Sequence, residues 1–184
     1  MSVHTIGHST RSIEEFIALL TENAVTHLMD VRAIPRSRTV PQFNGDALAA
    51  SLTAEGITYT HVPELGGRRH HKKGAPPSHN TYWRIEAFRN YADHAETAEF
   101  AAAIDALVAV AESEVCAVMC AEAVWWRCHR RIIADYLLAR GVRVVHIMGP
   151  GKVEDATLTP GAEVLAGGTI RYVKEPQPGD KLSA

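Results

Sequence analysis

Short runs of apolar, often β-branched residues alternate along the chain with longer segments whose apolar residues recur every three or four positions. The short runs predict β-strands, and the longer segments predict helices. Strands are predicted at residues 3–7, 26–31, 57–62, 115–119 and 142–148. Strands that alternate with helices favour right-handed crossovers. We therefore expect a Rossmann-like α/β fold, an open, mostly parallel twisted sheet of about five strands with helices on both faces.

The predicted helices have recognisable ends. Ser12 is followed three residues later by Glu15, which predicts a capping box at the start of the first helix. Gly56 and Gly141 follow helical patterns at residues 45–55 and 126–140, and glycine commonly ends a helix. Residues 88–111 are predicted to be largely helical, with apolar residues along one side.

Two segments depart from this alternation. Residues 66–80 combine glycines and prolines with six consecutive basic or histidine positions, which predicts a mobile basic loop. The segment after residue 149 has one predicted strand, at 169–173, and we expect a loosely attached tail from about residue 174. The whole chain, residues 1–184, is predicted to form a single α/β domain.

Composition narrows the class of protein. A chain of 184 residues with 46% hydrophobic residues can bury a core without disulfides, and its three cysteines do not form a secreted disulfide framework. No apolar stretch approaches the ~20 residues of a membrane span. We expect a cytoplasmic protein with reduced thiols and no membrane partner, and nothing indicates its oligomeric state. The net charge of −2 does not favour extended DNA.

Polar and reactive residues follow the predicted strand ends. In an open α/β sheet, ligands bind in the crevice beyond the carboxyl ends of the strands, so these residues predict a site. We expect the first strand to neighbour the fourth and the second to lie beside the first. One pocket would then collect the candidate residues, which are His8, Ser9, Arg32, Arg36, Arg38, Cys120, Glu122, Cys128, His129 and Arg130.

Several of these motifs resemble one family, catalogued as domain of unknown function 488. The matching segments are residues 5–10, 30–32, 35–37, 41–44, 64–67, 88–92, 119–122 and 128–130. The residues at 123–127, Ala-Val-Trp-Trp-Arg, depart from the Lys-Asp-Pro-type loop that the resemblance implies between the two cysteine motifs. The resemblance strengthens the site assignment and implies no particular reaction.

Cys120, Glu122, Cys128, His129 and His8 are the catalytic candidates. Cys128 is expected in the first turn of a helix beside cations, where a thiol ionises more easily. Three chemical interpretations stay open. A cysteine could be a nucleophile with His129 or His8 as its base. Cys120, Cys128 and His129, with His8 or Glu122, could bind zinc or iron. Cys120 and Cys128 could instead form a reversible disulfide.

Two features of the sequence count against the metal interpretation. Structural zinc sites usually space their cysteines two to four residues apart, and Cys128 and His129 would point apart if both lay in a helix. We therefore expect no bound metal and no cofactor.

The arginines point to the ligand. Their planar guanidinium groups match phosphate and carboxylate, so the predicted partner is a small anionic ligand, phosphorylated or nucleotide-like. The predicted function is that of a thiol-dependent enzyme, a hydrolase or transferase, at this pocket. The alternative is a nucleic-acid or nucleotide binding module without catalysis, in which Trp83, Trp125 and Trp126 would stack on bases.

Overall fold

The computed structural model describes residues 1–71, 74 and 76–174. Lys72, Lys73 and Ala75 of the predicted mobile loop lie outside the described residues, as does the tail 175–184. The described residues form five helices: α1 (Ile13–Glu22), α2 (Gly45–Ala54), α3 (Glu86–Ala95), α4 (Ala98–Ala111) and α5 (Arg130–Leu138). They also form eight strands: β1 (Ser2–Gly7), β2 (His27–Asp30), β3 (Thr58–His61), β4 (Cys116–Cys120), β5 (Arg143–Gly149), β6 (Lys152–Asp155), β7 (Ala162–Val164) and β8 (Ile170–Tyr172).

Six strands form one mostly parallel sheet in the order β3-β2-β4-β1-β5-β6. The first five of them are parallel to their neighbours, and β6 is antiparallel to β5 at one edge. The predicted α/β class is therefore confirmed. The strand β6 is an addition that the sequence pattern did not reveal, and β7 and β8 form a separate antiparallel hairpin.

The strand β4 lies between β1 and β2. Gly7 of β1 is level with Cys120, and Asp30 of β2 is level with Met119. The expectation that β1 and β4 are neighbours is confirmed, but the expectation that β2 lies beside β1 is wrong. This order places Cys120 at the end of the middle strand of three, so that residues after β1 and β2 flank it on either side.

Helices cover both faces of the sheet. The face with Ala117 and Met119 of β4 packs against α1 and α2, through buried residues such as Phe16 and Leu48. The opposite face carries Cys116, Val118 and Cys120, and it packs against α3, α4 and α5. Side chains alternate along a strand, so Cys120 necessarily faces the same side as α5 and the segment that precedes it.

Two predicted helix boundaries are corrected. The segment predicted as one helix divides into α3 and α4, because the Thr97 side chain accepts a hydrogen bond from the Phe100 N–H and caps a new helix. The helix predicted from residue 126 begins only at Arg130, after a single 3₁₀ turn at Trp125–Arg127. The capping box at Ser12 and Glu15 is present as predicted.

The last described strand, β8, packs into the core through Ile170 and Tyr172. The predicted strand at 169–173 is found as β8, and Tyr172 is fully buried. Its hydroxyl donates to the Asp135 carboxylate at 2.9 Å, and its N–H donates to Asn80 Oδ1 at 2.9 Å. Within the described ranges, no helix is both long and apolar enough to span a membrane.

His146 of β5 makes stability depend on pH. It is buried, its Nδ1 lies 2.7 Å from Thr5 Oγ1, and its ring stacks on Trp125 at 4.5 Å. Burial, with a smaller contribution from Arg130, lowers its pKa from 6.5 to about 4. Between those two pH values the His146 side chain is protonated in the unfolded chain and neutral in the folded chain. The stability that neutral His146 contributes is therefore fully present above pH 6.5 and is lost as the pH falls toward 4.

We expect His146→Gln to remove up to about 3 kcal/mol of the fall in unfolding free energy between pH 6.5 and 4, since each pKa unit corresponds to about 1.4 kcal/mol. Urea unfolding at several pH values between 4.5 and 7 checks it. His70→Gln, at an exposed histidine, is the control and should keep the wild-type slope. An unchanged slope in His146→Gln would contradict the assignment.

Candidate functional site

A pocket of about 620 Å³ opens beyond the carboxyl ends of β1, β2 and β4. Its volume is within the range of small-molecule sites, roughly 300–1,000 Å³. Most of the candidate residues line it together, namely His8, Ser9, Arg32, Arg36, Cys120, Glu122, Cys128 and His129. Arg38 and Arg130 are not among the lining residues.

Four side chains converge at one point of this pocket, and we call them the donor cluster: Cys120, Glu122, Cys128 and His129. Glu122 Oε2 lies 2.8 Å from Cys120 Sγ and 3.3 Å from Cys128 Sγ. His129 Nδ1 lies 3.6 Å from Cys128 Sγ and 3.9 Å from Cys120 Sγ. The sequence analysis identified all four residues, and the fold brings them into direct contact.

The backbone before α5 explains why Cys128 and His129 point the same way. Cys128 is extended, with φ −133° and ψ 149°, and His129 has α-helical angles as the residue that precedes α5. The expectation that Cys128 lies in the first helical turn is therefore wrong. Because only His129 adopts the helical conformation, the two neighbouring side chains converge instead of diverging around a helix.

The His129 ring is held in one orientation. Its Nε2 lies 3.1 Å from the Val31 carbonyl oxygen, so an Nε2–H can donate there while the Nδ1 lone pair faces the sulfurs. Gly67 lies against the ring, and a β-carbon at that position would come within 2.7 Å of Cε1 and 2.8 Å of Cγ. Tyr91 packs against another side, with the ring centroids 4.9 Å apart.

The two sulfurs differ in their acidity. The hydrogen bond with Cys128, then burial, raises the pKa of Cys120 well above its usual value. Burial also raises the pKa of Cys128, but hydrogen bonds with Cys120 and His129 and the nearby Arg130 outweigh it, and the net pKa is well below the usual value. Arg130 Nε lies 3.3 Å from Cys128 Sγ. These surroundings make Cys128 the more acidic sulfur of the pair. By contrast, burial raises the pKa of Cys116 to about 11.

The donor cluster has the composition of a metal-ligand set. Each residue offers one ligand atom, and these atoms all lie within 4.8 Å of one another. Two thiols, an imidazole and a carboxylate are donors that zinc accepts. Cys128 and His129 do not lie together in a helix, so their side chains do not diverge. This removes one of the two features that counted against a metal; the wide spacing of the cysteines in the sequence is the other.

The ring nitrogens of His8 contact Ser9 and Arg32, whereas His129 contacts the two cysteines. Its Nδ1 lies 2.8 Å from the Ser9 carbonyl oxygen, and its Nε2 lies 3.3 Å from Arg32 Nη1. Burial lowers the pKa of His8 to about 4. With both ring nitrogens engaged and the ring stacked on Phe43 at 4.3 Å, His8 is a neutral wall of the pocket. His129 is the imidazole that contacts the cysteines.

Arg32 is largely neutralised by Asp30. Its Nε lies 2.9 Å from Asp30 Oδ1, and both side chains are almost completely buried. Tyr59 donates its hydroxyl to the same carboxylate at 2.8 Å. Asp30, at the carboxyl end of β2, is therefore the ion-pair partner of a pocket arginine.

Three other arginines line the pocket without such a partner. Arg36, Arg68 and Arg127 are exposed, and none forms a hydrogen bond or an ion pair with another described residue. Arg68 belongs to the predicted basic loop 66–80 and Arg127 to the segment 123–127, and neither is among the candidate pocket residues predicted from sequence. Their basic character was visible, but their common direction depends on the fold.

Arg130 has a different position from the one expected. It is 1% exposed, and its Nη2 donates to the Glu122 carbonyl oxygen at 2.6 Å. Together with its contact to Cys128 Sγ, this bond ties both halves of the donor cluster to α5. Arg130 therefore holds Cys128 and the Glu122 backbone in place through hydrogen bonds and does not line the cavity.

Comparison with known proteins identifies the family without adding a function. No curated protein and no solved structure matches the chain significantly. The family model that does match is described as "Domain of unknown function DUF488", and it covers residues 12–137. That range holds the whole donor cluster and leaves β1 and β5 outside. The chain therefore belongs to the DUF488 family, as its motifs indicated.

Proposed function

We propose that this protein is a thiol-dependent enzyme that acts on a small phosphorylated or nucleotide-like molecule bound in the pocket. The observation that carries the proposal is the meeting, in one cavity, of three arginines that pair with no described residue and a cysteine whose pKa is lowered. Each feature is common by itself. Their coincidence at the carboxyl edge of a parallel sheet, where such folds bind ligands, favours a reactive site for an anion.

The arginines support an anionic ligand. Arg36, Arg68 and Arg127 extend from three separate segments toward the same cavity, and no described carboxylate neutralises them. Among the described residues that line the pocket, Glu122 is the single acidic one, and it belongs to the donor cluster. A planar guanidinium matches phosphate oxygens, and three of them leave the cavity with a positive field.

The cysteines support a thiol-dependent reaction. A thiolate is both the nucleophilic and the metal-binding form of cysteine, and Cys128 is the sulfur whose surroundings favour it. His129 lies against it, and Arg130 donates toward it from the far side. A reacting group held by the pocket arginines would therefore lie beside this sulfur.

The tryptophans give little support to a nucleic-acid binding module. Trp83 is 6% exposed and lies between Phe88 and Arg131, and Trp125 stacks on His146. Trp126 is exposed at 45%, and a single exposed ring is a poor platform for successive bases. A compact anion in the pocket fits these positions better.

The proposal predicts that phosphate protects Cys128. In the metal-free, reduced protein, iodoacetamide should modify Cys128 faster than Cys120 or Cys116, because the thiolate is the reactive form. Inorganic phosphate or AMP should slow that modification. Peptide mass analysis over time measures each cysteine separately.

The arginine variants sharpen this test. Arg127→Ala and Arg36→Ala should each weaken phosphate protection about tenfold, since a hydrogen bond to a charged group contributes about 1.5 kcal/mol or more. Arg38→Ala is the matched control, because Arg38 is also exposed and lacks a described partner but does not line the pocket. Equal protection in all variants would contradict the anion site. Turnover of a nucleotide panel that survives in Cys128→Ser would contradict the thiol-dependent reaction.

A further inference from the structure

We propose that the donor cluster binds one zinc ion, with Cys120, Cys128 and His129 as fixed ligands and Glu122 as a fourth ligand that a substrate or water can displace. The proposal rests on the proposed function only for the role of the ion. The metal site itself stands on the geometry of the four donors. It also reverses the expectation, drawn from residue spacing, that the chain binds no metal.

The spacing of the donors fits a tetrahedral ion. With zinc–sulfur bonds of about 2.3 Å and zinc–nitrogen or zinc–oxygen bonds of about 2.0–2.2 Å, ligands at the corners of a tetrahedron lie roughly 3.5 Å apart for sulfur to nitrogen or oxygen. The Cys128 Sγ distances to His129 Nδ1 and Glu122 Oε2 are 3.6 and 3.3 Å. The Cys120 Sγ to His129 Nδ1 distance is 3.9 Å. The Cys120 Sγ to Glu122 Oε2 distance, 2.8 Å, is a hydrogen bond that an ion would open.

The ligands come from a rigid framework. Cys120 ends the central strand β4 and is paired on one side with Gly7 of β1. Cys128 and His129 lead directly into α5, and Arg130 in its first turn bonds to both Cys128 Sγ and the Glu122 carbonyl oxygen. Cys120 lies at the end of a strand, and Cys128 and His129 immediately precede a helix that packs on that strand, which favours a well-defined geometry for these three donors.

A second layer of contacts presents the correct nitrogen of His129. Metal-binding histidines almost always donate their other ring N–H to a carbonyl or carboxylate, which fixes the tautomer. His129 Nε2 has that partner in the Val31 carbonyl oxygen at 3.1 Å. The lone pair of its Nδ1, which faces the two sulfurs, is therefore available to an ion. Val31 lies just after β2, on the other side of β4. The arrangement therefore depends on three strands that are brought together only in the folded chain.

The exposure of the donors indicates which ligand can leave. The two cysteines are 4% and 3% exposed, whereas Glu122 is exposed and faces the pocket. Catalytic zinc sites keep three protein ligands and an open or exchangeable fourth position, and two cysteines with one histidine is a known catalytic set. An anion gathered by Arg36, Arg68 and Arg127 would reach the ion from this side. There the ion would polarise a phosphoryl or carbonyl oxygen.

The test uses the full chain, stripped with a chelator and reduced, and titrated with Co²⁺. Tetrahedral Co²⁺ with thiolate ligands absorbs strongly in the visible range, so the spectrum reports the ligand set directly. We expect saturation at one equivalent per chain and loss of the absorption when Zn²⁺ is added. Cys120→Ser and Cys128→Ser should lose the absorption, while Cys116→Ser, at a buried cysteine outside the cluster, should keep it.

Two further variants exclude other sources of binding. His70→Ala/His71→Ala removes exposed histidines of the basic loop and should leave the titration unchanged. Glu122→Gln should bind Co²⁺ more weakly with an altered spectrum, since an exposed ligand can be replaced without disturbing the core. Circular dichroism confirms that each variant is folded.

The outcomes separate this proposal from the proposed function. If the wild type gives no visible Co²⁺ absorption, or if the cysteine variants give the same absorption, the metal site is wrong. Disulfide formation between Cys120 and Cys128 that resists reduction and abolishes uptake would also overturn it. Phosphate protection is measured on metal-free protein, so it can succeed where metal binding fails, and the converse also holds.

Discussion

Asp30→Ala is expected to lower the free energy of unfolding by about 3–5 kcal/mol, because it leaves a buried guanidinium without its carboxylate. The side chains of Asp30 and Arg32 are 0% and 7% exposed. The Asp30 carboxylate also accepts the Arg32 N–H at 3.0 Å and the Tyr59 hydroxyl at 2.8 Å. A single domain is stable by only about 5–15 kcal/mol, so such a loss would remove a large part of its stability.

The chain offers a matched control in a second arginine–aspartate pair. Arg143 Nε lies 2.8 Å from Asp155 Oδ1, a distance like that of the buried pair, but these side chains are 65% and 62% exposed. Water screens an exposed pair, so Asp155→Ala should lower the free energy of unfolding far less than Asp30→Ala does. Urea unfolding at pH 7 measures both variants. If both variants lost a similar amount of unfolding free energy, burial would not determine how much breaking an arginine–aspartate pair destabilises the protein.

Gly7→Ala should both destabilise the protein and disrupt the donor cluster. A β-carbon at residue 7 would lie 2.8 Å from the Glu122 carbonyl carbon, closer still to its oxygen, and 3.0 Å from Arg130 Nη2. These are backbone atoms and a buried arginine, so relief requires the segment that carries Glu122 to move. We expect a loss of about 3 kcal/mol, at the upper end for overpacking, and a weakened Co²⁺ spectrum.

Gly149→Ala is the control for this prediction. Gly149 also ends a strand of the same sheet, but a β-carbon there would meet no atom within 4 Å. Its stability should stay within about 0.5 kcal/mol of the wild type, with an unchanged metal titration. Suppose that Gly7→Ala has the same free energy of unfolding and the same Co²⁺ titration as Gly149→Ala. The close approach of β1 to the Glu122 segment would then have no role in holding the cluster.

The candidate residues were largely recognisable from sequence because of where they follow the apolar runs. An apolar run that ends in Cys120 predicts a buried strand that delivers the cysteine to the sheet edge, and β4 does so. The membership of the cluster needed no knowledge of distances. What the pattern could not supply was the direction of each side chain, because direction depends on single backbone angles, as the extended φ of Cys128 illustrates.

The arginines show the same limit in another form. Arg36, Arg38 and Arg127 look alike in the sequence, yet Arg36 and Arg127 line the pocket and Arg38 does not. Arg32 and Arg130 are also basic residues beside strand ends, and both are buried and bonded to neighbours. A sequence pattern reports the charge of an arginine, whereas its burial and partners are properties of the assembled fold.

The sequence by itself determined the class of fold, the family and the edge of the sheet where reactive residues gather, because apolar periodicity and strand-end motifs are local properties of the chain. Only the tertiary structure decided that β4 lies between β1 and β2, and that the surroundings of Cys128 lower its pKa while those of Cys120 raise it. It also decided that His129 presents Nδ1 to both sulfurs. These features depend on contacts between segments far apart in the sequence, and such contacts exist only once the sheet has assembled.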